Sequence, residues 1–201
     1  MYHIQKEVNK NQIHQDGVDY LVLVNRDHPL PSGWEETIEL IELGNSRDEK
    51  VPVERKTSEA FLKLAEALRK EGVVIQLDSA YRSVQEQQEL SAQFAAQYGD
   101  DYARQYVAVP GYSEHHTGLA LDLYLQIDGR DVVLNEDLVR YPQIWKIIHH
   151  KLPEFGFILR YPEGKEAITG YSYEPWHIRY IDDAGKAIRL TERGLVLEEN
   201  G

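Results

Sequence analysis

Apolar and polar residues alternate along several short segments, and this alternation predicts β-strands. Residues 20–24 form a run of aliphatic and aromatic side chains, and residues 37–43 predict a second strand. The β-branched run at residues 73–77 is typical of a buried strand. Residues 119–125 alternate around Asp122 and lead towards an Asp-Gly turn. Two further short strands are predicted at residues 157–160 and 176–181.

Apolar side chains spaced three to four residues apart predict helices between these strands. Residues 57–70 place four apolar side chains on one face, with Gly72 as the stop signal. Either Thr57 or Ser58 is expected to cap the amino terminus of this helix. A second helix is predicted at residues 84–98. Further helices are predicted at residues 101–106, 136–150 and 183–193.

This order of elements predicts an α+β fold in which helices flank a small, mostly antiparallel sheet. The chain has no internal repeat and no linker that would divide it, so residues 1–201 are predicted to form a single domain. About residues 1–18 are expected to be an amino-terminal extension, and about residues 183–201 a carboxy-terminal helix and tail.

Composition removes several classes of function. The chain has 34 acidic and 22 basic residues, a formal net charge of −12, which argues against a nucleic-acid partner. It has no cysteine, so disulfides are excluded and a metal site would have to use His, Asp or Glu. We see no transmembrane segment and no signal peptide, which predicts a cytoplasmic protein if the chain is complete and a cell-envelope protein if it is trimmed.

The segment from Ser113 to Asp122 is the first that could hold a metal ion. His115 lies in a predicted loop, and Asp122 lies on the face of a strand opposite to its leucine neighbours. A buried carboxylate needs a partner, because burying an unpaired charge is very costly. A metal ion or a nearby arginine would serve equally well, and this segment alone leaves both possibilities open.

A second segment, Glu174-Pro175-Trp176-His177, brings a carboxylate and an imidazole to the start of a predicted strand. Pro175 favours an extended conformation at Glu174. Taken alone, the tetrapeptide favours an edge-strand glutamate beside a core histidine. Together, the two segments supply two imidazoles, one carboxylate ligand and one spare carboxylate. That set is typical of a catalytic zinc site, which has three protein ligands and one open position.

The ordered motifs of the chain resemble those of the zinc D,D-carboxypeptidases of the VanY type, including the VanXY dipeptidase-carboxypeptidases of vancomycin resistance. The resemblance covers residues 21–197, although Ala80 stands where the family usually has glycine. The family pattern Ser-x-His-x-x-Gly-x-Ala-x-Asp matches Ser113, His115, Gly118, Ala120 and Asp122. The later pattern Glu-x-x-His matches Glu174 and His177. A third family motif matches Ser79, Tyr81, Arg82, Ser83 and Gln87.

The resemblance implies a role for each matching residue. One Zn²⁺ ion per chain would be bound by His115, Asp122 and His177. Glu174 would be the general base that activates water and then passes the proton to the leaving amine. Arg82 would stabilise the developing oxyanion or hold a substrate oxygen, which suits its planar set of donors. The further substrate contacts would be Gln87 and Ser113, with Tyr81 and Trp176 either lining the pocket or packing.

Other histidines compete with this assignment. His116 is adjacent to His115 and could replace it as a ligand, although the family register favours His115. His149 and His150 are predicted to be a solvated or capping pair near the end of a helix.

The implied substrate is a peptidoglycan stem peptide or precursor that ends in D-Ala, cleaved as a D,D-carboxypeptidase and possibly also as a D,D-dipeptidase. One alternative within the family is an L,D-carboxypeptidase that acts on tetrapeptide stems. An alternative of another class is a non-catalytic, zinc-containing binding module on the same scaffold, as in the hedgehog signalling domain. Glu174 and Arg82 favour catalysis, because a structural ion needs neither a base nor an oxyanion partner.

Overall fold

A computed structural model describes residues 17–100 and 107–200. These residues form seven strands, arranged in two antiparallel sheets, and six α-helices. Most of the predicted amino-terminal extension and the helix predicted at residues 101–106 lie outside the described residues. Within the described residues, no helix is long and apolar enough to cross a membrane. The predicted α+β class is confirmed.

The strands form a hairpin and a five-stranded sheet. β1 and β2 pair with each other, whereas the larger sheet has the order β3-β4-β7-β6, with β5 added to β4. The strands are β1 (Leu40–Gly44), β2 (Lys50–Glu54), β3 (Val74–Ser79), β4 (Ala120–Ile127), β5 (Arg130–Val132), β6 (Phe157–Leu159) and β7 (His177–Tyr180). The helices are α1 (Arg55–Lys70), α2 (Val84–Tyr98), α3 (Asn135–Leu138), α4 (Pro142–Lys151), α5 (Glu166–Thr169) and α6 (Ala184–Glu192).

The register of β4 positions the predicted metal ligands. Asp122 in β4 is paired with His177 in β7 on one side and with Ser79 in β3 on the other. Leu121 and Leu123 are fully buried in the main core, so Asp122 points to the opposite face of the sheet. The alternation in the sequence therefore places one carboxylate on the face that carries the site.

The strand predicted at residues 20–24 is wrong, because this segment pairs with no other strand. The predicted alternation is present, since Tyr20, Val22 and Val24 are buried, but the segment joins no sheet. Instead, Nη2 of Arg179 donates to the carbonyl oxygens of Tyr20 and Val22, at 3.1 and 2.9 Å. A side chain distant in sequence thus replaces the neighbouring strand.

The amino-terminal cap of α1 also differs from the prediction. The helix begins at Arg55, and the carboxylate of Glu54 accepts hydrogen bonds from the backbone N–H groups of Lys56 and Thr57, at 3.0 and 2.8 Å. Thr57 is inside the first turn, where its hydroxyl donates to the same carboxylate at 2.8 Å. The cap is therefore Glu54 rather than Thr57 or Ser58, and its negative charge suits a helix amino terminus.

Two other elements depart from the sequence prediction because of proline. The helix predicted at residues 136–150 is divided into α3 and α4, since Pro142 occupies the first turn of α4. β2 was not predicted, and Pro52 within it masks the strand pattern.

Candidate active site

His115, Asp122 and His177 converge at one end of the large sheet. His115 is on a short 3-10 turn (Glu114–Thr117), Asp122 is in β4 and His177 opens β7. Nε2 of His115 lies 3.1 Å from Oδ2 of Asp122, and Nδ1 of His177 lies 2.9 Å from Oδ1. One ligand atom from each residue lies within 4.8 Å of the others, as coordination of a single ion requires.

In each of the two histidines, one ring nitrogen points away from Asp122. The hydrogen bond of that nitrogen shows where the proton of the ring lies. Nδ1 of His115 is 2.6 Å from the carbonyl oxygen of Ala80, which can only accept, so Nδ1 carries a proton. Nε2 of His177 is 3.2 Å from a carboxylate oxygen of Glu114, so it carries a proton as well. In neutral rings, Nε2 of His115 and Nδ1 of His177 are then lone-pair acceptors that face Asp122.

Three acceptors therefore converge, and Oδ1 of Asp122 is buried without a hydrogen-bond partner among the described residues. Burial favours the neutral acid, but His115 and His177 outweigh it and hold the pKa of Asp122 well below its usual value. Burial likewise opposes a charge on His177, yet Asp122 and Glu114 raise the pKa of this imidazole to about 10. The cluster demands positive charge, which either protons or a metal cation can supply.

The set of two imidazoles and one carboxylate fits zinc. Zinc in catalytic sites commonly takes three nitrogen or oxygen ligands from the protein and keeps one position open. Asp122 keeps 22% of its side chain exposed, on the side of a cleft of about 200 Å³. The open position would therefore face the cleft.

Glu174 lies beside the cluster and lines the same cleft. Its Oε2 is 3.7 Å from Nδ1 of His177, and its backbone N–H donates to the carbonyl of Tyr161 at 3.1 Å. Burial raises the pKa of Glu174 to about 7; the charge of His177 opposes this rise, and the carboxylates of Asp122 and Glu114 add to it. A carboxyl group that titrates near neutrality can both accept and return a proton.

Arg82 lies in the connection between β3 and α2 and faces the cleft. Nη1 donates to Oε1 of Gln87 at 3.0 Å, and Nη2 donates to the hydroxyl of Ser79 at 3.1 Å. Gln87 is buried and is held in turn by the carbonyl of Ala108, to which its amide donates at 2.8 Å. These two bonds use two of the five N–H donors of the guanidinium and orient it towards the cleft.

The cleft brings together eight of the nine residues singled out from the sequence. Tyr81 is the exception, since it is not part of the lining and its hydroxyl donates to Glu35 at 3.3 Å. Burial and this carboxylate raise the pKa of Tyr81 to about 12. The eight that line the cleft are Arg82, Gln87, Ser113, His115, Asp122, Glu174, Trp176 and His177, with apolar walls from Leu90, Phe94, Tyr161 and Tyr171.

His116 points away from the cluster. Its Nδ1 donates to the carbonyl of Arg82 at 2.6 Å, and its Nε2 accepts from the backbone N–H of Gly111 at 3.0 Å. Burial lowers its pKa, which keeps the ring neutral. One ring nitrogen supports the backbone of Arg82 and the other binds Gly111, so neither faces Asp122, whereas Nε2 of His115 does.

His149 differs from its prediction as a solvated or capping residue. It is half-buried, its ring stacks on Trp145 at a centroid distance of 5.9 Å, and its Nε2 donates to the carbonyl of Pro175 at 2.9 Å. Burial lowers its pKa, which keeps the ring neutral. His149 therefore fixes the Glu174–His177 segment from α4, whereas His150 is exposed as predicted.

Glu114 is a residue that sequence reasoning missed. It is fully buried between Ser113 and His115, and its Oε1 accepts from both Arg160 and Arg179 at 2.7 Å. Burial opposes its charge, but the two arginines outweigh this and hold the pKa of Glu114 well below its usual value. The one local signal was its position next to a predicted ligand.

A fold that holds two imidazoles, an aspartate and a spare carboxylate in one cleft defines a metallohydrolase. The family model described as "VanY: D-alanyl-D-alanine carboxypeptidase" matches residues 50–183. The bifunctional D-Ala-D-Ala dipeptidase and D-Ala-D-Ala carboxypeptidase VanXYC of Enterococcus gallinarum is 36% identical over 163 residues, which are 80% of this chain and 83% of that protein. The chain belongs to the VanY family, which confirms the predicted family and its carboxypeptidase class.

Solved structures agree with this assignment. The vancomycin-resistance D,D-pentapeptidase VanY from the VanB-type cassette, in complex with Zn(II), is 35% identical, with a TM-score of 0.73 over 90% of this chain and 97% of that one. The LdcB LD-carboxypeptidase is 34% identical, with a TM-score of 0.79 over 90% of this chain and 85% of that one. The fold is therefore shared by enzymes named for both stereochemical preferences.

Proposed function

We propose that this protein is a zinc-dependent D-alanyl-D-alanine carboxypeptidase that releases the terminal D-Ala from peptidoglycan precursors or stem peptides. The observation that carries the proposal is the convergence of His115, Asp122 and His177 around a buried, unpartnered carboxylate oxygen, with Glu174 beside them. Membership of the VanY family and the zinc ion of the VanB-type VanY structure support it. The net charge of −12 argues against nucleic acid as a partner.

A bound zinc ion would polarise the scissile carbonyl and make a water molecule more acidic. The remaining chemistry falls to side chains of this chain. Glu174 accepts the proton of the attacking water and returns it to the nitrogen of the departing D-alanine, which requires a carboxyl group with a pKa near the working pH. Arg82 donates hydrogen bonds to the carbonyl oxygen as negative charge develops on it, from a guanidinium already oriented by Gln87 and Ser79.

The cleft also suits a short peptide. Ser113 and Arg82 bring polar groups to its lining, whereas Trp176 and Phe94 add apolar surface. Polar groups that converge on a cleft fix the orientation of a small ligand, and apolar surface beside them adds contact area. We assign Ser113 as a substrate contact and Trp176 as part of the wall, whereas Gln87 acts through Arg82, which it orients.

Purified protein should be incubated with a pentapeptide, a tetrapeptide and the free D-Ala-D-Ala dipeptide, after chelation and again after addition of zinc. Mass spectrometry would then report which bond is cleaved. Zinc-dependent loss of one D-Ala from the pentapeptide, with the tetrapeptide left intact, is the expected result. Cleavage that survives complete removal of metal would refute the proposal.

A second candidate is an L,D-carboxypeptidase, which the likeness to the LdcB enzyme favours. The same assay separates the two, because an L,D-enzyme would shorten the tetrapeptide and spare the pentapeptide. A non-catalytic zinc module would bind the metal and cleave neither peptide.

A further inference from the structure

Four charged side chains next to His177 form a set that we call the buried quartet: Glu114, Arg160, Arg179 and Glu198. Glu114 contacts Nε2 of His177 and also borders the cleft. Both arginines are fully buried, and each donates to Oε1 of Glu114 at 2.7 Å. Arg160 also forms a two-pronged ion pair with Glu198, at 2.7 and 2.9 Å. The formal charges of the quartet cancel.

The quartet leaves one carboxylate oxygen for the metal site. Both arginines bind Oε1 of Glu114, and Oε2 faces Nε2 of His177 at 3.2 Å. A carboxylate in this position keeps the proton of His177 on Nε2 and the lone pair on Nδ1, the atom that faces Asp122 at 2.9 Å. Hydrogen bonds of this kind to a ligand histidine fix its tautomer and ring orientation and make it a stronger base.

Glu198 connects this support to the carboxy-terminal part of the chain. It lies in the 3-10 turn Leu197–Glu199, and the amide of Asn25 donates to its Oε1 at 3.1 Å. Bidentate pairing fixes the plane of the Arg160 guanidinium, and Nε of that guanidinium holds Glu114. Glu198, Arg160, Glu114 and His177 therefore form a continuous series of contacts from the carboxy-terminal turn to the metal donors.

A purely structural role is the alternative, because Arg179 also binds the carbonyls of Tyr20 and Val22. That role explains Arg179 but not the arrangement of Glu114. A buried ion pair brings no assured stability, and apolar side chains of the same volume would often serve the fold as well. They could not accept the Nε2 proton of His177.

We propose that Glu114 is a positioning residue that orients His177 for the metal, and that Glu198 in the carboxy-terminal turn holds Glu114 in place through Arg160. This inference rests on the proposed function, since it assumes that His177 is a zinc ligand. It assigns the last turn of the described chain to the support of the metal site.

The test is the dissociation constant for zinc of the full-length protein, measured by competition with a chromophoric chelator. Glu114→Gln should weaken zinc binding by about 10- to 100-fold, as loss of such an outer partner does. Glu198→Gln should weaken it by a smaller factor. The matched control is Glu199→Gln in the same turn. The carboxylate of Glu199 accepts from Lys165 at 2.8 Å and from the backbone N–H of Val196 at 3.0 Å, a bond that the amide oxygen of glutamine can still accept, and it has no contact with Arg160 among the described residues. The zinc affinity of this variant should equal that of the wild type.

A second readout distinguishes orientation of His177 from general loosening of the fold. In zinc-loaded wild-type protein, the Nε2 proton of His177 should give a downfield NMR signal that exchanges slowly with water. In Glu114→Gln and Glu198→Gln, this signal should move upfield and exchange faster, whereas the amide spectrum of the core stays unchanged. Glu199→Gln should retain the wild-type signal.

The outcomes separate the two proposals. If the wild type binds no zinc, the proposed function fails and this inference fails with it. If the wild type binds one zinc ion, but folded Glu114→Gln and Glu198→Gln bind it equally well, only the inference is overturned. If Glu114→Gln does not fold, Glu198→Gln decides alone, and wild-type affinity in that variant overturns the inference.

Discussion

Nδ1 of His177 faces Oδ1 of Asp122 at 2.9 Å, and neither atom has a proton to give when the imidazole is neutral. Two acceptors at this distance repel each other unless positive charge lies between them. The nature of this contact therefore depends on what the site holds. The two residues form an ion pair when His177 is protonated, and both would be ligands when a metal is bound.

Metal content should follow this contact. We expect one zinc ion per chain in the wild type and strongly reduced zinc in Asp122→Asn and His177→Ala, measured by elemental analysis after dialysis. His150→Ala, which changes an exposed histidine, is the control and should keep its zinc. Zinc at 100 times its dissociation constant should stabilise the fold by about 2.7 kcal/mol, visible as a rise in melting temperature. Unchanged zinc content in both ligand variants would contradict the assignment.

Glu174→Gln should separate metal binding from catalysis. The amide keeps the size of the side chain but cannot take up the proton, so kcat should fall by about 10²- to 10⁴-fold while zinc content stays at one ion per chain. Glu163→Gln, on the exposed segment that precedes α5, should have wild-type activity. A Glu174→Gln enzyme that hydrolyses peptide at the wild-type rate would exclude Glu174 as the base.

The pH dependence of the zinc-loaded enzyme should report the same carboxyl group. Burial raises the pKa of Glu174 to about 7, and a nearby cation would lower it from there, because positive charge favours the carboxylate. The base must be deprotonated to act, so kcat/KM should rise with pH, with a midpoint between 4.5 and 7. The profile should be recorded at saturating zinc, so that loss of metal in acid does not imitate it. A midpoint that persists in Glu174→Gln would belong to another group.

Catalysis should require the guanidinium group of Arg82 and not its positive charge alone. Arg82→Lys keeps the charge but loses the planar donors that bind Gln87 and Ser79. We expect Arg82→Lys and Arg82→Ala each to lower kcat by about 10²- to 10³-fold, with zinc affinity unchanged. Steady-state kinetics with zinc titration would check this, and full activity of Arg82→Lys would refute the donor role.

Sequence alone predicted the parts of the site whose residues are close along the chain. His115 and Asp122 share one short segment, and Glu174 and His177 share another. Each segment alone left its role open, and the two together, with the resemblance to the VanY family, predicted the site. Glu114 could not be assigned, because Arg160 and Arg179 lie 46 and 65 residues away and only the sheet brings them together. The same limit explains the misassigned strand at residues 20–24, whose carbonyl partners come from Arg179.

Stability in acid should depend on Glu114. Its arginine partners lower its pKa in the folded state below the ordinary value of 4.5, so its contribution to stability is complete above that value and is lost as the pH falls through the folded pKa. Removal of one partner from a buried ion pair costs about 3–5 kcal/mol, and Glu114→Gln should lose stability of this order at pH 7. Urea unfolding of the metal-free proteins between pH 7 and pH 3 would test this. The difference between wild type and variant should shrink towards pH 3, and a constant difference would show that the charge of Glu114 is not what stabilises the fold.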